Sequence, residues 1–405
     1  MIELNFSYIL DYPNNAAVWQ TLMDEFSASH DVKVILHEMK WDTAWAELFS
    51  YTIQHQNLQV SHVGNTWAGG LARMNVLRPF KQDEILAMGG ANAFISPNWE
   101  SGVLAEDRRL FAIPWTGFIH VICYHKDLLA KAGIDGSNAF GTINATDKAI
   151  EKLAASDLEI PWLNPEVPVA FRDLLHIAAS WVWAAGGDFI NYEGTRALFN
   201  SPQALRGLKE WLDLYRAVPE SYKRLTSTET IELFRSGRAA AVLTNINIAH
   251  ALIDSEPDPA VRENLGVSTV TDVPWTGGGS LVIWEHVTGS PRQQELAAVD
   301  LVKFLASKDS NLRYQQAVGS MPSRLDALEQ AYPAGHPLHD AVMQAARNGR
   351  GYHSVSVWRR VEALLSDELG AIVKEVMENA TADPETVLHA HLDPLAERLR
   401  IMLGG

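Results

Sequence analysis

The sequence predicts an α/β protein, with helices packed over largely parallel sheets and the chain divided between two lobes. Three observations carry that prediction. Short apolar, β-branched runs alternate with amphipathic stretches at helical spacing from residue 3 onward, the pattern of strands joined by crossover helices. The chain has 405 residues, 47% of them hydrophobic, whereas a single core stops growing at about 250 to 300 residues. Three stretches rich in Pro and Gly, Pro114 to Gly117, Asp272 to Glu285 and Val318 to Arg324, read as places where the chain crosses between lobes.

Composition narrows the function. With 33 basic against 49 acidic residues the net charge is −16, which argues against nucleic acid and anionic membrane as partners, since both are bound through clustered positive charge. No stretch approaches the 18 or so consecutive apolar residues of a spanning helix. The opening MIELNFSYIL lacks the basic and apolar regions of a signal peptide. An exported protein would therefore have lost its signal, with Met1 a replacement start, and a cytoplasmic protein is the open alternative. The single cysteine, Cys123, sits in an aliphatic run and reads as a small core residue. Many of the 13 tryptophans fall in turns and at element ends, where a core role is a less natural explanation.

Taken in order, Glu3 to Leu10 reads as a strand, and Asp11 to Asn15 as a turn that presents Tyr12 and Asn14. Trp19, Leu22, Met23 and Phe26 then recur at helical spacing. Val32 to His37 is a second strand, Asp42 a helix N-cap, and Trp45, Leu48, Phe49 and Ile53 an apolar stripe. Leu58 to Val63 is a third strand. It leads into Gly64-Asn65-Thr66-Trp67. Binding loops of such sheets lie at strand carboxyl ends, and an Asn-Thr pair beside an indole suits a sugar, whose C–H face packs on the ring while its hydroxyls need directional partners. A capping turn with a packing Trp explains the same residues. Pro114-Trp115-Thr116-Gly117 reads as a sharp turn, Phe118 to Tyr124 as a buried strand, and Lys126 to Ala132 as a helix ended by Gly133.

The second half continues the alternation. Val169 to Ala185 is a helix that carries His176, more often a packing or surface residue than a ligand contact. Ser201-Pro202, Ser290-Pro291 and Asp383-Pro384 are helix starts. The strand Ala239 to Thr244 leads into Asn245-Ile246-Asn247, where two asparagines could recognise hydroxyls or form an Asx turn capping the next helix. In DVPWTGGGSLVIWE, Gly277 and Gly278 beside Trp275 allow main chain to approach a ligand closely. No Gly-Lys-Ser/Thr follows, so a phosphate loop is a poorer explanation. Arg324 reads as a hinge or cleft-rim residue, able to pair with acids or hydrogen-bond a ligand through its planar fork.

Five fragments carry a resemblance: VSHVGNTWAGGLARMNVLRPF, FAIPWTGFIHVICYHKDLLAKAGI, SWVWAAGGDFIN, ELFRSGRAAAVLTN and VGSMPSR. In order and spacing they resemble the extracellular solute-binding proteins of ABC importers, in the carbohydrate-binding family that includes maltose-binding protein. Residues 58 to 133 and 176 to 330 carry the likeness best, and 134 to 170 depart from it. The resemblance implies a two-lobed periplasmic-binding-protein fold of type II with three interlobe crossings. One lobe would take residues 1–115 and 284–319, the other 116–283 and 320–405. It implies hinge closure on a carbohydrate, with Trp358 as a sugar platform and His176 facing the cleft; Trp41, Trp67, Trp115 and Trp275 are further candidate contacts from their positions in loops and crossings. The partners implied are the sugar and a membrane permease, and the protein is expected as a monomer, periplasmic or extracellular and membrane-anchored.

No H-E-x-x-H, C-x-x-C, S-x-x-K or G-x-S-x-G occurs, which removes the common short signatures of metalloproteases, structural zinc, penicillin-binding enzymes and α/β-hydrolases. His336-Pro337-Leu338-His339-Asp340 has superficial ligand spacing with proline inside it, and neither metal nor cofactor is expected. The leading expectation is a binding protein for a neutral oligosaccharide without catalytic residues. A glycoside hydrolase with a Trp-lined cleft is the alternative, because a carboxylate pair is defined by its separation in space.

Overall fold

The computed structural model describes residues 2–10, 15–53, 58–164, 172–254, 256, 258–289, 292–379 and 381–403. Tyr12, Asn14 and the Ser290-Pro291 helix start lie outside them. The chain forms two compact units. Unit 1 takes residues 1–118, 276–333 and 351–358; unit 2 takes 119–275, 334–350 and 359–405. The strands are β1 (Ile2–Ile9), β2 (Val32–Met39), β3 (Val60–Gly64), β4 (Ala112–Pro114), β5 (Thr116–His125) and β6 (Ile160–Leu163). They continue with β7 (Ala239–Asn245), β8 (Leu265–Thr269), β9 (Thr276–Gly277), β10 (Gly279–Ile283) and β11 (Met321–Pro322).

In unit 1 the sheet order is β2-β1-β3-β10-β4. β1 runs parallel to both β2 and β3, while β10 is antiparallel to β3 and β4. The helix Asn15–His30 makes the crossover from β1 to β2 and buries Trp19, Leu22, Met23 and Phe26, the stripe its sequence spacing predicts. The order places β1 between β2 and β3, so the chain switches direction beside the carboxyl ends of β1 and β3, where open α/β sheets bind ligands. At the other end of β3, Arg78 N–H donates to Ile283 O, and its buried guanidinium pairs with Glu84 at 2.6 Å and Glu295 at 2.8 Å.

Unit 2 is built on a sheet in which β5 is antiparallel to β7 and β8, and β6 is parallel to β7. Cys123 lies on β5 facing this core, its thiol pushed up to about 12 by burial, in keeping with a silent core residue. Local signals set the helix starts: Ser201 Oγ accepts from Ala204 N–H, and Asp383 Oδ2 accepts from Thr386 N–H at 3.1 Å. Gly133 ends the helix Lys126–Lys131 with φ 68°. Two local expectations fail. Asp42 lies within the helix Trp41–Ile53 and is not its N-cap. Pro114 to Gly117 is not a sharp turn, because Trp115 N–H donates to Gly279 O and Gly117 and Thr116 pair with Met321 and Pro322. Extended pairing on both sides overrides the local Pro and Gly signals, since proline's fixed φ also fits a strand.

Candidate functional site

In unit 1 the carboxyl end of β3 runs directly into a single 3-10 turn, Asn65–Trp67. Asn65 is buried and its N–H donates to Gly278 O at 3.0 Å, while Thr66 is half-buried. Trp67 is buried, with Trp41 and Trp45 packed edge-on against it at centroid distances of 5.3 and 5.5 Å. Edge-to-face contact is a favourable aromatic geometry, and it fixes Trp41 while leaving that residue 41% exposed. Gly64 makes this possible: a Cβ there would lie 3.1 Å from the Trp41 ring. The product is an uncharged aromatic corner in which Trp41 offers the accessible indole.

Three expectations made for residues of this unit are corrected. Trp115 is 1% exposed and packs in the unit core, 5.2 Å from Trp19 and 5.0 Å from Tyr314, so it is no platform. Gly278 answers to main-chain crowding within the unit. Gly278 has φ 134°, and a Cβ on it would sit 2.0 Å from Thr116 O. Gly277 O accepts from Asn98 Nδ2 at 2.8 Å. Arg324 spends its fork on Asp326 and on the carbonyls of Met88 and Ala306, over the Phe94 ring, the acid-pairing alternative its sequence position allowed. Trp358 starts its helix as expected, but it is 2% exposed and stacked on Tyr352 at 4.1 Å, leaving no open indole face.

In unit 2, Trp275 and His176 form a near-coplanar stack, 4.3 Å apart with 7° between planes. The helix Arg172–Ala184 supplies His176, and the same helix holds the Trp275 backbone, whose N–H donates to Ser180 Oγ at 2.9 Å. Arg350 braces the segment from the other side: its N–H donates to Pro274 O, and its guanidinium pairs with Asp188 above the Trp183 ring. Behind the stack lies a buried carboxylate. Glu362 Oε1 is 3.8 Å from His176 Nε2, and Glu362 Oε2 is 3.6 Å from the Arg359 guanidinium. His120, on β5, sits 5.8 Å from Trp275, and burial lowers its pKa to about 3. It is therefore neutral at physiological pH.

Asn245 is corrected. Its Oδ1 accepts from the N–H groups of Asn247 and Ile248, capping the helix Ile246–Asp254, so it serves as the Asx cap that the sequence also allowed. Asn247 is half-buried in the first turn of that helix.

The sequence reading missed His120, Glu362 and Arg359. Glu362 had a signal: it stands four residues after Trp358, on the buried stripe continued by Leu365 and Leu369, where an unpaired carboxylate would be costly. Among the described residues no group of His, Cys, Asp and Glu is arranged to hold a metal ion, and no helix is long and apolar enough to cross a membrane.

The fold is shared with several solved structures. The sugar-binding protein MalE from Xanthomonas citri superposes with TM-score 0.81 at 17% identity, covering 99% of this chain and 97% of that one. A solute-binding protein from Thermotoga lettingae, bound with α-D-tagatose, gives TM-score 0.75 at 17% identity over 100% of both chains. Maltose-bound MalE3 from T. maritima gives 0.75 at 18% identity, covering 99% of this chain and 100% of that one. Curated protein sequences yield no match. Residues 21–340 match the family described as bacterial extracellular solute-binding protein. With most of the chain inside that match, the protein belongs to the bacterial extracellular solute-binding proteins.

Proposed function

We propose that the chain is the substrate-binding component of a carbohydrate importer, and that it captures a neutral oligosaccharide without transforming it. The observation that carries this reading is that each unit sets an indole among polar side chains: Trp41, 41% exposed, beside Asn65 and Thr66, and Trp275, 5% exposed, stacked on His176 beside Glu362 and Arg359. A flat aromatic face bordered by directional donors and acceptors matches the two sides of a pyranose, apolar C–H above and hydroxyls at the rim. Family membership supports it, as do structural neighbours whose bound ligands are tagatose and maltose. Of the two indoles, Trp41 offers the open aromatic face, on unit 1.

Under this reading the ligand closes the two lobes, with boundaries that follow the units, 1–118, 276–333 and 351–358 against 119–275, 334–350 and 359–405. The closed monomer is then presented to a membrane permease outside the cytoplasm, and the importer's ATPase supplies the energy. The proposed sugar contacts are Trp41, Asn65, Thr66, Trp67, His176, Asn247 and Trp275. A thermal-shift screen over neutral di- and oligosaccharides, with chromatography of each incubated sugar, tests the proposal. A ligand that binds only the folded state raises the melting temperature by mass action. At least one neutral sugar is expected to do so and to be recovered intact. A shift only with acidic sugars would overturn the neutral assignment, and cleavage would overturn the binding-protein reading.

A further inference from the structure

Among the described residues, unit 1 buries three ring systems whose polar atoms have no protein partner. His62, on β3, is 1% exposed, and neither of its ring nitrogens makes a hydrogen bond; the same holds for Nε1 of Trp19, 0% exposed, and Nε1 of Trp115, 1% exposed. They are neighbours. The Trp19 ring lies 5.8 Å from His62 and 5.2 Å from Trp115. His62 faces the same side of the sheet as Leu281, its partner on β10. Its Nε2 fills the notch over Gly279, where a Cβ would come within 2.0 Å of that nitrogen and 3.1 Å of Thr116 Oγ1.

The donor and acceptor inventory cannot be balanced from within. Each indole offers one N–H and no acceptor, and a neutral imidazole offers one N–H and one lone pair. Burial holds His62 neutral, with its pKa lowered to about 3. Three donors therefore face a single acceptor. Even if one indole reached the imidazole, two N–H groups would stay unpaired in a site closed to solvent, and buried polar groups are overwhelmingly paired. What the set lacks is a small group that accepts twice and can also donate to the bare imidazole nitrogen. Water does both, and buried waters typically make about three hydrogen bonds to groups of this kind.

We propose that His62, Trp19 and Trp115 bind an internal water molecule in the core of unit 1, a site distinct from the aromatic corner of Trp41 and Trp67. The water ties the helix Asn15–His30 to β3 and to the junction of β4 and β5. Trp115 stands at that junction, immediately before the segment where the chain leaves unit 1. The site is independent of the sugar assignment.

Two measurements test it on the intact protein. A crystal structure at about 1.5 Å or better is expected to show a water within hydrogen-bond distance, up to about 3.2 Å, of a His62 nitrogen and an indole Nε1. Direct pairing of His62 with protein atoms, or an empty site at that resolution, would overturn the proposal. Oxygen-17 magnetic relaxation dispersion counts long-lived waters. The count is expected to fall by one in Trp115→Phe, which keeps a ring in place but removes its N–H, and likewise in His62→Phe. An unchanged count in whichever variant folds would contradict the assignment.

Discussion

Each unit buries a carboxylate against an arginine, and the two pairs stand in different places. In unit 1, Arg78, Glu84 and Glu295 meet beside Ile283, which pairs with Val60 at the amino end of β3; the candidate corner begins with Gly64, at the carboxyl end. In unit 2, Glu362 and Arg359 lie directly behind His176 and Trp275. A buried ion pair gains little net stability over a well-packed apolar one. The unit 1 triad accordingly reads as a device that fixes a loop and a helix to the sheet. The unit 2 pair stands 3.8 Å from the one histidine that stacks on Trp275. Charge is thus kept away from the site in one unit and built into it in the other.

The sharpest break in that comparison is Arg78→Ala. It leaves two carboxylates without their buried partner and is expected to cost about 3 to 5 kcal/mol of stability in denaturant titrations. Sugar affinity at a temperature where the variant is folded should stay unchanged.

Acid acts on both units next. His62 in unit 1 and His120 in unit 2 both have pKa values lowered by burial from 6.5 to about 3. The unfolded chain binds more protons than the folded one throughout that window. Stability is therefore complete above pH 6.5 and falls as pH drops toward 3. The slope reaches about 1.4 kcal/mol per pH unit for each histidine. Asp147, raised to about 6 by burial and then by Glu210, opposes this between pH 6 and 3.8. Urea titrations from pH 7 to 4.5 should show the net loss, with a shallower slope in either His→Phe variant that folds.

Glu362→Gln keeps shape and removes charge. Affinity for the best sugar is expected to fall by about 10- to 100-fold, since the residue beside His176 loses its negative charge. The smallest effect belongs to Trp41→Ala, about 10-fold in affinity with little change in melting temperature, because this indole is the exposed member of its cluster. Equal losses from Glu362→Gln and Arg78→Ala in calorimetric titrations would erase the distinction between the two buried pairs.

The fold was readable where signals are local. Strand and helix alternation, the Ser201 and Asp383 caps and the left-handed Gly133 all depend on near neighbours in sequence, and each is found where expected. Residues whose role depends on distant packing were not. Pro114 to Gly117 looked like a turn because its pairing partners, Gly279 and Met321, lie some 165 to 205 residues further on. Trp115 and Trp358 looked like platforms because a tryptophan's sequence position does not tell an open face from one covered by Tyr314 or Tyr352. The triple glycine looked ligand-directed, yet the atom it makes room for is Thr116 O. Asn65, Trp67, His176 and Trp275 were singled out by side-chain chemistry, but the stack that joins His176 to Trp275 spans 99 positions that no periodicity links.

The most direct test is calorimetric titration of the intact protein and of Glu362→Gln with the neutral sugar that gives the largest thermal shift. The account predicts saturable binding to the wild type with the sugar recovered uncleaved, and at least a tenfold weaker affinity in the variant at an unchanged melting temperature or one lowered by only a few degrees. Undiminished affinity in a folded Glu362→Gln would contradict it.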